Sequence, residues 1–184
     1  FTANLYNTDL EQTNLSFANI ANANLSQSYL RYANLLGADL HNANLIWSNL
    51  TQADLRSTNF RDSILTYSNL SHVNLSNSNL SSANLNDADL SGADLSNSKL
   101  IDAYLIRANL TEANLLGANL SFINWYWGDE LSVELLNATY DDQTIFPTNF
   151  DPVAAGMTFV PLPAGIYLFL SGLVGLGLMR GRNG

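Results

Sequence analysis

Side-chain chemistry needs a nucleophile, a proton carrier or a metal ligand, and this chain supplies few of them. It has two histidines, His41 and His72, one lysine, Lys99, and no cysteine. The lack of cysteine removes disulfides, thiolate metal sites and cysteine nucleophiles. The two histidines are far apart in the chain, and neither has a second histidine at metal-binding spacing, so both read as solvated surface groups. There is no Gly-rich phosphate loop, no G-x-S-x-G and no paired-carboxylate motif. The acidic pairs Asp129-Glu130 and Asp141-Asp142 lack the spacing of a calcium loop and read as surface charge or capping. No catalytic residue, metal ligand or cofactor is therefore expected, and neither is an enzyme.

Charge narrows the field further. Sixteen acidic residues against seven basic ones give a net charge of −9, which disfavours a protein that binds nucleic acid by neutralising phosphates. Only 12% of the 184 residues are charged, while 47% are hydrophobic. That is about half the usual charged share for a soluble domain, with ample material for a core.

The elements that would position any functional group follow from a repeat of five. From Leu5 to Leu120 every fifth residue is Leu, apart from Ile20 and Phe60. Two residues earlier stands a small residue (Ala3, Thr8, Thr13, Ala18 and onward to Ala118), with Val73 the one larger member. Between them lies mostly Asn or Asp, so the repeat reads A-N/D-L-x-x. Period five turns successive apolar residues by about 140° around a helix, which leaves no apolar face. A small and a large residue two apart suit a short extended segment with both side chains inward. The remaining residues must turn the chain, and Asn, Asp, Ser and Gly suit such corners. Short extended segments joined by tight turns at a fixed angle make a solenoid.

Over residues 1 to 125 this pattern resembles the pentapeptide-repeat family. The resemblance implies an all-β fold, a right-handed quadrilateral β-helix with four pentapeptides per coil and the Leu and small residues inward. Twenty-four repeats would give about six coils and a rod about 29 Å long. The implied stacking period is twenty residues. Leu5, Leu25, Leu45, Leu65, Leu85 and Leu105 would form one internal ladder, and Phe60, larger than its ladder mates Leu40 and Leu80, should bring a bulge or a smaller neighbour. Asn14, Asn34, Asp54, Asn74, Asp94 and Asn114 would align outside and hydrogen-bond along the column. The N-x-S/T triplets, such as Asn24-Leu25-Ser26 and Asn69-Leu70-Ser71, arise from the repeat and argue little for glycosylation.

Departures from the repeat are where binding or capping would sit. Tyr29, Ile64, Lys99 and Tyr104 replace Asn or Asp. On the twenty-residue stacking Trp47 and Tyr67 become vertical neighbours, a candidate contact for sugar rings or a partner chain. The same pair also reads as two side chains stacked on a β surface. His41 and Arg61 are neighbours in the same way.

Beyond Trp125 the pattern changes. Trp125, Tyr126 and Trp127 stand in a row and suit a cap over the apolar end of a solenoid. Asp129 is placed to N-cap a short helix over Glu130–Leu136, with Leu131, Leu135 and Leu136 inward and Asn137 ending it. Tyr140, Ile145, Phe146 and Phe150 are the expected anchors of residues 126–159 on the cap. At the other end the repeat is already running at Phe1, so the first coil has no cap of its own here. Residues upstream of Phe1 in a longer chain could hold that cap; alternatively a copy of the chain could cover it head to tail, through Trp125, Tyr126 and Trp127 or the apolar tail, and such contacts propagate into fibres.

Residues 160–184 hold three parts in order: Val160-Pro161-Leu162-Pro163-Ala164, an apolar run over 164–179, and the basic residues Arg180 and Arg182. The run is at the short edge for spanning a bilayer, and the basic end would stay cytoplasmic. The whole resembles a PEP-CTERM-type sorting signal of the VPLPA variant. The resemblance implies export, transient membrane anchoring through an apolar helix at 164–179, and processing near the motif by an exosortase-type enzyme. The expected organisation is a β-helix over 1–125, a cap and linker over 126–159, and the signal over 160–184. The expected function is a non-enzymatic structural or interaction protein of the cell surface or extracellular matrix. The alternative is an acidic, DNA-mimicking member of the family that binds a topoisomerase.

Overall fold

The structure, a computed structural model, describes residues 3–127 and 130–161. From Asn4 to Tyr104 each residue that precedes the inward residue of its repeat pairs in parallel with its counterpart twenty residues on, as in Asn4↔Asn24, Asn44↔Ile64 and Tyr104↔Asn124. Four such rungs per twenty residues give the four faces of a quadrilateral coil.

A single repeat shows why the pattern is obligatory. In residues 24–28 all five backbone N–H groups have acceptors. Asn24 donates to the Ala3 carbonyl in the coil above at 2.9 Å. Leu25 and Gln27 donate to Asn44 and Ile46 in the coil below, at 2.7 and 2.8 Å. Ser28 closes the turn onto Leu25 at 3.1 Å. The fifth donor, Ser26, is taken by the Asn24 side-chain Oδ1 at 3.1 Å. The Asn is thus a backbone acceptor two residues back, an Asx turn. The Ser26 hydroxyl donates to the same oxygen at 2.6 Å, which is why Asn-Leu-Ser recurs. Along the columns some amides also bond upward to the preceding coil, as in Asn114 Nδ2 to Asp94 Oδ1 at 3.0 Å.

The second turn residue of each repeat has a positive φ, for example 59° at Trp47 and 60° at Tyr67. No β-branched residue occupies that place between Asn7 and Phe122, as its sterics require. At Gly92, φ +63°, the His72 ring from the coil above lies so close that a Cβ would stand 2.5 Å from its Nδ1.

Inside, every fifth residue from Leu25 to Leu120 is fully buried, with the alanines two before them. Most buried hydroxyls donate to the carbonyl three residues back, as in Ser28 to Leu25 at 2.6 Å and Ser48 to Leu45 at 2.7 Å. The hydroxyls of Ser78 and Ser98, stacked in one column, have no partner. Phe60 is wholly buried and brings no bulge: its N–H bonds Asn79 at 2.7 Å, and Asn59 pairs with both Asp39 and Asn79 in register.

The C-terminal end departs from expectation. No helix forms over Glu130–Leu136. Instead β1 (Tyr126–Trp127) and β2 (Glu130–Leu131) pair antiparallel as a hairpin. Asp129, the expected helix cap, lies outside the described residues. After this excursion the solenoid resumes five residues out of step, with Asn109↔Glu134 and Asn114↔Thr139, then six with Asn119↔Ile145. Val133-Glu134-Leu135 and Ala138-Thr139-Tyr140 are repeats of the same kind, and Asn137 is a turn residue at φ 59° rather than a helix end. The strand β3 (Thr139–Tyr140) then pairs in parallel with β4 (Thr158–Phe159), the start of one further rung. The rungs therefore run past residue 125, into the segment expected to be only cap and linker.

The inward positions of this seventh coil are Trp125, Leu135, Tyr140 and Phe146, so bulky rings close the end. Trp125 packs on Phe150 with centroids 4.2 Å apart, and Phe146 meets Phe150 at 5.1 Å. Ile145 is not an anchor. It takes the outward place opposite Asn119 and stays 50% exposed, while Phe146 fills the inward one. Asp141 is buried and replaces a missing carbonyl, its Oδ1 accepting the N–H groups of Gly117 (2.9 Å), Gln143 (3.0 Å) and Thr144 (3.0 Å). Among the described residues no helix is long and apolar enough to cross a membrane. The apolar helix expected at 164–179 lies outside them.

Candidate functional site

Trp47, Tyr67, Ile64 and Tyr104 gather at one corner, whereas exposed Tyr29 and Lys99 stand in other columns, between Asp9 and Asn49 and between Asn79 and Asn119. Because Trp47 and Tyr67 are second turn residues one coil apart, their side chains leave the rod in parallel. Their rings stack at 4.4 Å with planes 9° apart, and they remain 59% and 43% exposed. Above them Gln27 accepts the Tyr6 hydroxyl at 2.9 Å. Below them Arg107 grips Asp87 through two bonds of 2.6 and 2.8 Å. The adjoining column replaces Asn with exposed Ile64 and Tyr104. Tyr104 has no Oδ1 to offer its own turn, and the Ile106 N–H turns instead to Asn86 Oδ1 from the previous coil at 2.8 Å. The corner can present aromatic edges and apolar surface to a partner. The two facing ring surfaces are already spent on each other.

The second cluster divides. Trp125 is 1% exposed and belongs to the interior of the cap, which removes it from the surface expected to meet a partner or a second copy. Tyr126 and Trp127 form β1 of the excursion hairpin. The sorting-type motif is split between fold and tail. The Val160 N–H donates to the Tyr140 carbonyl at 2.7 Å and Pro161 is exposed, whereas Leu162, Pro163 and Ala164 lie outside the described residues.

Charges are dispersed. In the outward columns Asp39 sits between Asn19 and Asn59, Asp54 between Asn34 and Asn74, and Asp94 between Asn74 and Asn114. The Arg56 guanidinium, on Asp54 at 2.8 and 2.7 Å, holds that carboxyl below its ordinary range. Burial pushes the Asp39 carboxyl up, but the hydrogen bonds from His41 and Asn59 outweigh it and bring it down. Among the described residues no group of His, Cys, Asp and Glu could hold a metal ion.

A family model for pentapeptide repeats matches this chain in eight copies over residues 3–31, 18–56, 53–92 and 88–121. The chain belongs to the pentapeptide repeat family. Its fold is accordingly the right-handed quadrilateral β-helix of that family. Among solved structures it is similar to a pentapeptide repeat protein of Nostoc Pcc 7120, at 35% identity over 61% of this chain and 84% of that one, with a TM-score of 0.42. It is also similar to a pentapeptide repeat protein from the thylakoid lumen of Arabidopsis thaliana, at 27% identity, 58% and 68% coverage and a TM-score of 0.37. A third is QnrB1, a plasmid-mediated fluoroquinolone resistance protein, at 16% identity, 94% and 97% coverage and a TM-score of 0.41. No curated protein matches the chain.

The hairpin and the seventh coil are what sequence reasoning missed. The signal was present in Val133-Glu134-Leu135 and Ala138-Thr139-Tyr140, two further repeats five residues apart.

Proposed function

We propose that this pentapeptide-repeat protein is an exported, non-enzymatic structural or interaction protein of the bacterial surface or extracellular matrix. The β-helix would serve as a rigid rod, and residues 160–184 as the sorting signal that holds the precursor in the membrane until an exosortase-type enzyme processes it. The observation that carries this reading is the tail itself: V-P-L-P-A, an apolar run and two arginines follow the rod in that order. The outer surface agrees with it. Amide and hydroxyl groups satisfy one another along the faces, and a rod of this kind can stand in water without a ligand.

The competing reading, a DNA mimic that binds a topoisomerase, draws on the net charge of −9. It calls for runs of adjacent acids along a column, and here Asn separates them. End-to-end association of rods would be a separate property of such a protein and would appear as sedimentation that grows with concentration. The test of the main proposal compares the full chain with one ending at Pro161, in the cells that make it. The full chain should fractionate with membranes and the shortened chain should be soluble, both with the same circular dichroism. A full chain that is soluble in the cytoplasm contradicts the proposal.

A further inference from the structure

The corner that carries Trp47 and Tyr67 reads nearly the same from both ends. Each coil contributes two turn residues to it, and the coils follow at twenty-residue intervals. The third and fourth coils supply Ile46-Trp47 and Thr66-Tyr67. The coils flanking these are polar, with Ser26-Gln27 before and Asn86-Asp87 after. The first and sixth coils bring back large side chains, Tyr6 and Ile106. The order large, polar, large, large, polar, large is therefore the same in either direction. The corner is also neutral. Its one acid and one base, Asp87 and Arg107, bond each other at 2.6 and 2.8 Å, in a chain of net charge −9.

We propose that this corner is the contact face for a second copy of the chain, packed side by side and antiparallel, about a twofold axis that crosses the rod between the third and fourth coils. A twofold contact must be self-complementary. An axis perpendicular to the rods reverses the order of coils and keeps each column opposite itself. The first coil of one copy then meets the sixth of the other, the second meets the fifth, and the third meets the fourth. Trp47 comes opposite Tyr67 of the second copy, and Tyr6 opposite its Ile106. Gln27 comes opposite the second copy's Asp87, an amide donor facing a carboxylate acceptor. The facing surfaces of the Trp47 and Tyr67 rings cover each other, so the corner offers ring edges, which suit packing against side chains. Four rings gather at the axis with polar residues on either side, the arrangement of an apolar centre and a polar rim.

Charge favours the same arrangement. Two copies of net charge −9 repel each other, and a neutral corner is where they approach most easily. A parallel pairing would set Asp87 against Asp87 and Arg107 against Arg107, whereas the antiparallel one separates like charges along the rod. A strip about 29 Å long and about 10 Å wide is small for a permanent dimer, so the association is weak and depends on concentration. It is lateral, and it is independent of export and of any end-to-end contact.

The test uses the full chain, which has no cysteine of its own. One batch carries Ser26→Cys and another Asn86→Cys, and each is treated with a short thiol-specific cross-linker, alone and mixed, from micromolar to millimolar chain. The mixture should cross-link as a dimer and either batch alone should hardly do so. Same-residue pairs stand about 14 Å apart along the axis, three coil spacings, beyond a cross-linker that spans about 8 Å. Adding Ile46→Glu to both batches brings like charges to the axis and should cut the mixed cross-link about tenfold, with circular dichroism and melting unchanged. Sedimentation of the cysteine-free chain and of its Ile46→Glu variant gives the same comparison without altering Asn86, which accepts the Ile106 N–H. Cross-links as abundant in the Ser26→Cys batch alone as in the mixture would overturn the antiparallel contact. A mixture that stays uncross-linked at millimolar chain would overturn the proposal and leave the corner to the chain's own tail or to another molecule. Cross-linking and sedimentation that Ile46→Glu leaves unchanged would overturn it as well.

Discussion

The indole of Trp47 lies flat on the phenol ring of Tyr67, with centroids 4.4 Å apart and planes within 9°. The two residues share one backbone conformation, φ 59° and 60°, one coil apart, so the rings are near copies displaced along the rod axis. The separation is close to the strand spacing of about 4.8 Å, which the coils impose on anything that stacks outside them.

That geometry makes the pair a measurable unit. Trp47→Ala and Tyr67→Ala should each cost about 1 kcal/mol, and the double variant should cost little more than either single one. A bulky residue at positive φ is also strained. Trp47→Gly should therefore be more stable than Trp47→Ala by about 1 kcal/mol, although both lose the ring. Thermal melts of the four chains check this. Additive losses in the double variant would show that the rings do not support each other.

Inside the rod, two serines should be better as alanine. The Ser78 and Ser98 hydroxyls are buried without a partner, whereas Ser28 donates to Leu25. Ser78→Ala and Ser98→Ala should each raise stability by about 1 kcal/mol, because an unsatisfied polar group disappears. Ser28→Ala should lower it by a similar amount. Chemical denaturation distinguishes the two directions, and equal effects at Ser28 and Ser78 would contradict the assigned bonding.

The register itself is tested at two neighbouring positions. Leu75 is fully buried and Asn74 faces outward, taking the Ser76 N–H at 3.0 Å. Leu75→Asp should cost roughly 4 kcal/mol or more, since a charge enters the ladder with no partner. Asn74→Ala should cost about 1 kcal/mol, the net worth of its bonds. Comparable losses in melting temperature would reverse the inside and outside of the repeat.

Asp141 gives the cap a pH dependence. Burial pushes its carboxyl up, but the N–H groups of Gly117, Gln143 and Thr144 more than offset this and hold it below the ordinary carboxylate range. A depressed carboxyl stabilises the fold fully above its unfolded value of about 3.9, and that contribution is lost as pH falls through the folded value. Amide exchange at Gly117 should therefore stay slow from neutral pH to about 5 and gain an extra acceleration in stronger acid, beyond the ordinary pH dependence of exchange. Asp141→Asn should keep much of the protection and lose that extra acid dependence. Asp141→Ala, which takes away the acceptor of the Gly117 and Gln143 N–H groups, should cost about 2 kcal/mol. An unchanged exchange rate in Asp141→Ala would remove Asp141 from the account of the cap.

How much of this was readable beforehand depends on how strictly the repeat holds. Where Ala, Asn and Leu recur without interruption, the inward and outward sides, the twenty-residue stacking and the Trp47–Tyr67 contact all follow from counting. The function of Asn was only half legible: its column bonds were expected, but its Asx bond to the backbone two residues on is the more regular one. Beyond Trp125 the count fails because a hairpin enters. Leu131, Leu135 and Leu136 then have helical spacing by accident, since Leu131 belongs to β2 and Leu135 to the resumed repeat. The junction at Val160 was invisible because a motif read as a tail gives no sign that its first amide is bonded into the rod.

The central claim is that the rod works outside the cytoplasm, and its location in intact cells tests that most directly. Protease shaving of whole cells, followed by immunodetection of the rod in envelope, medium and cytoplasm, should find the chain in the envelope or medium and open to the protease. Recovery of the intact chain from the cytoplasm alone, protected until the cells are broken, would contradict the account.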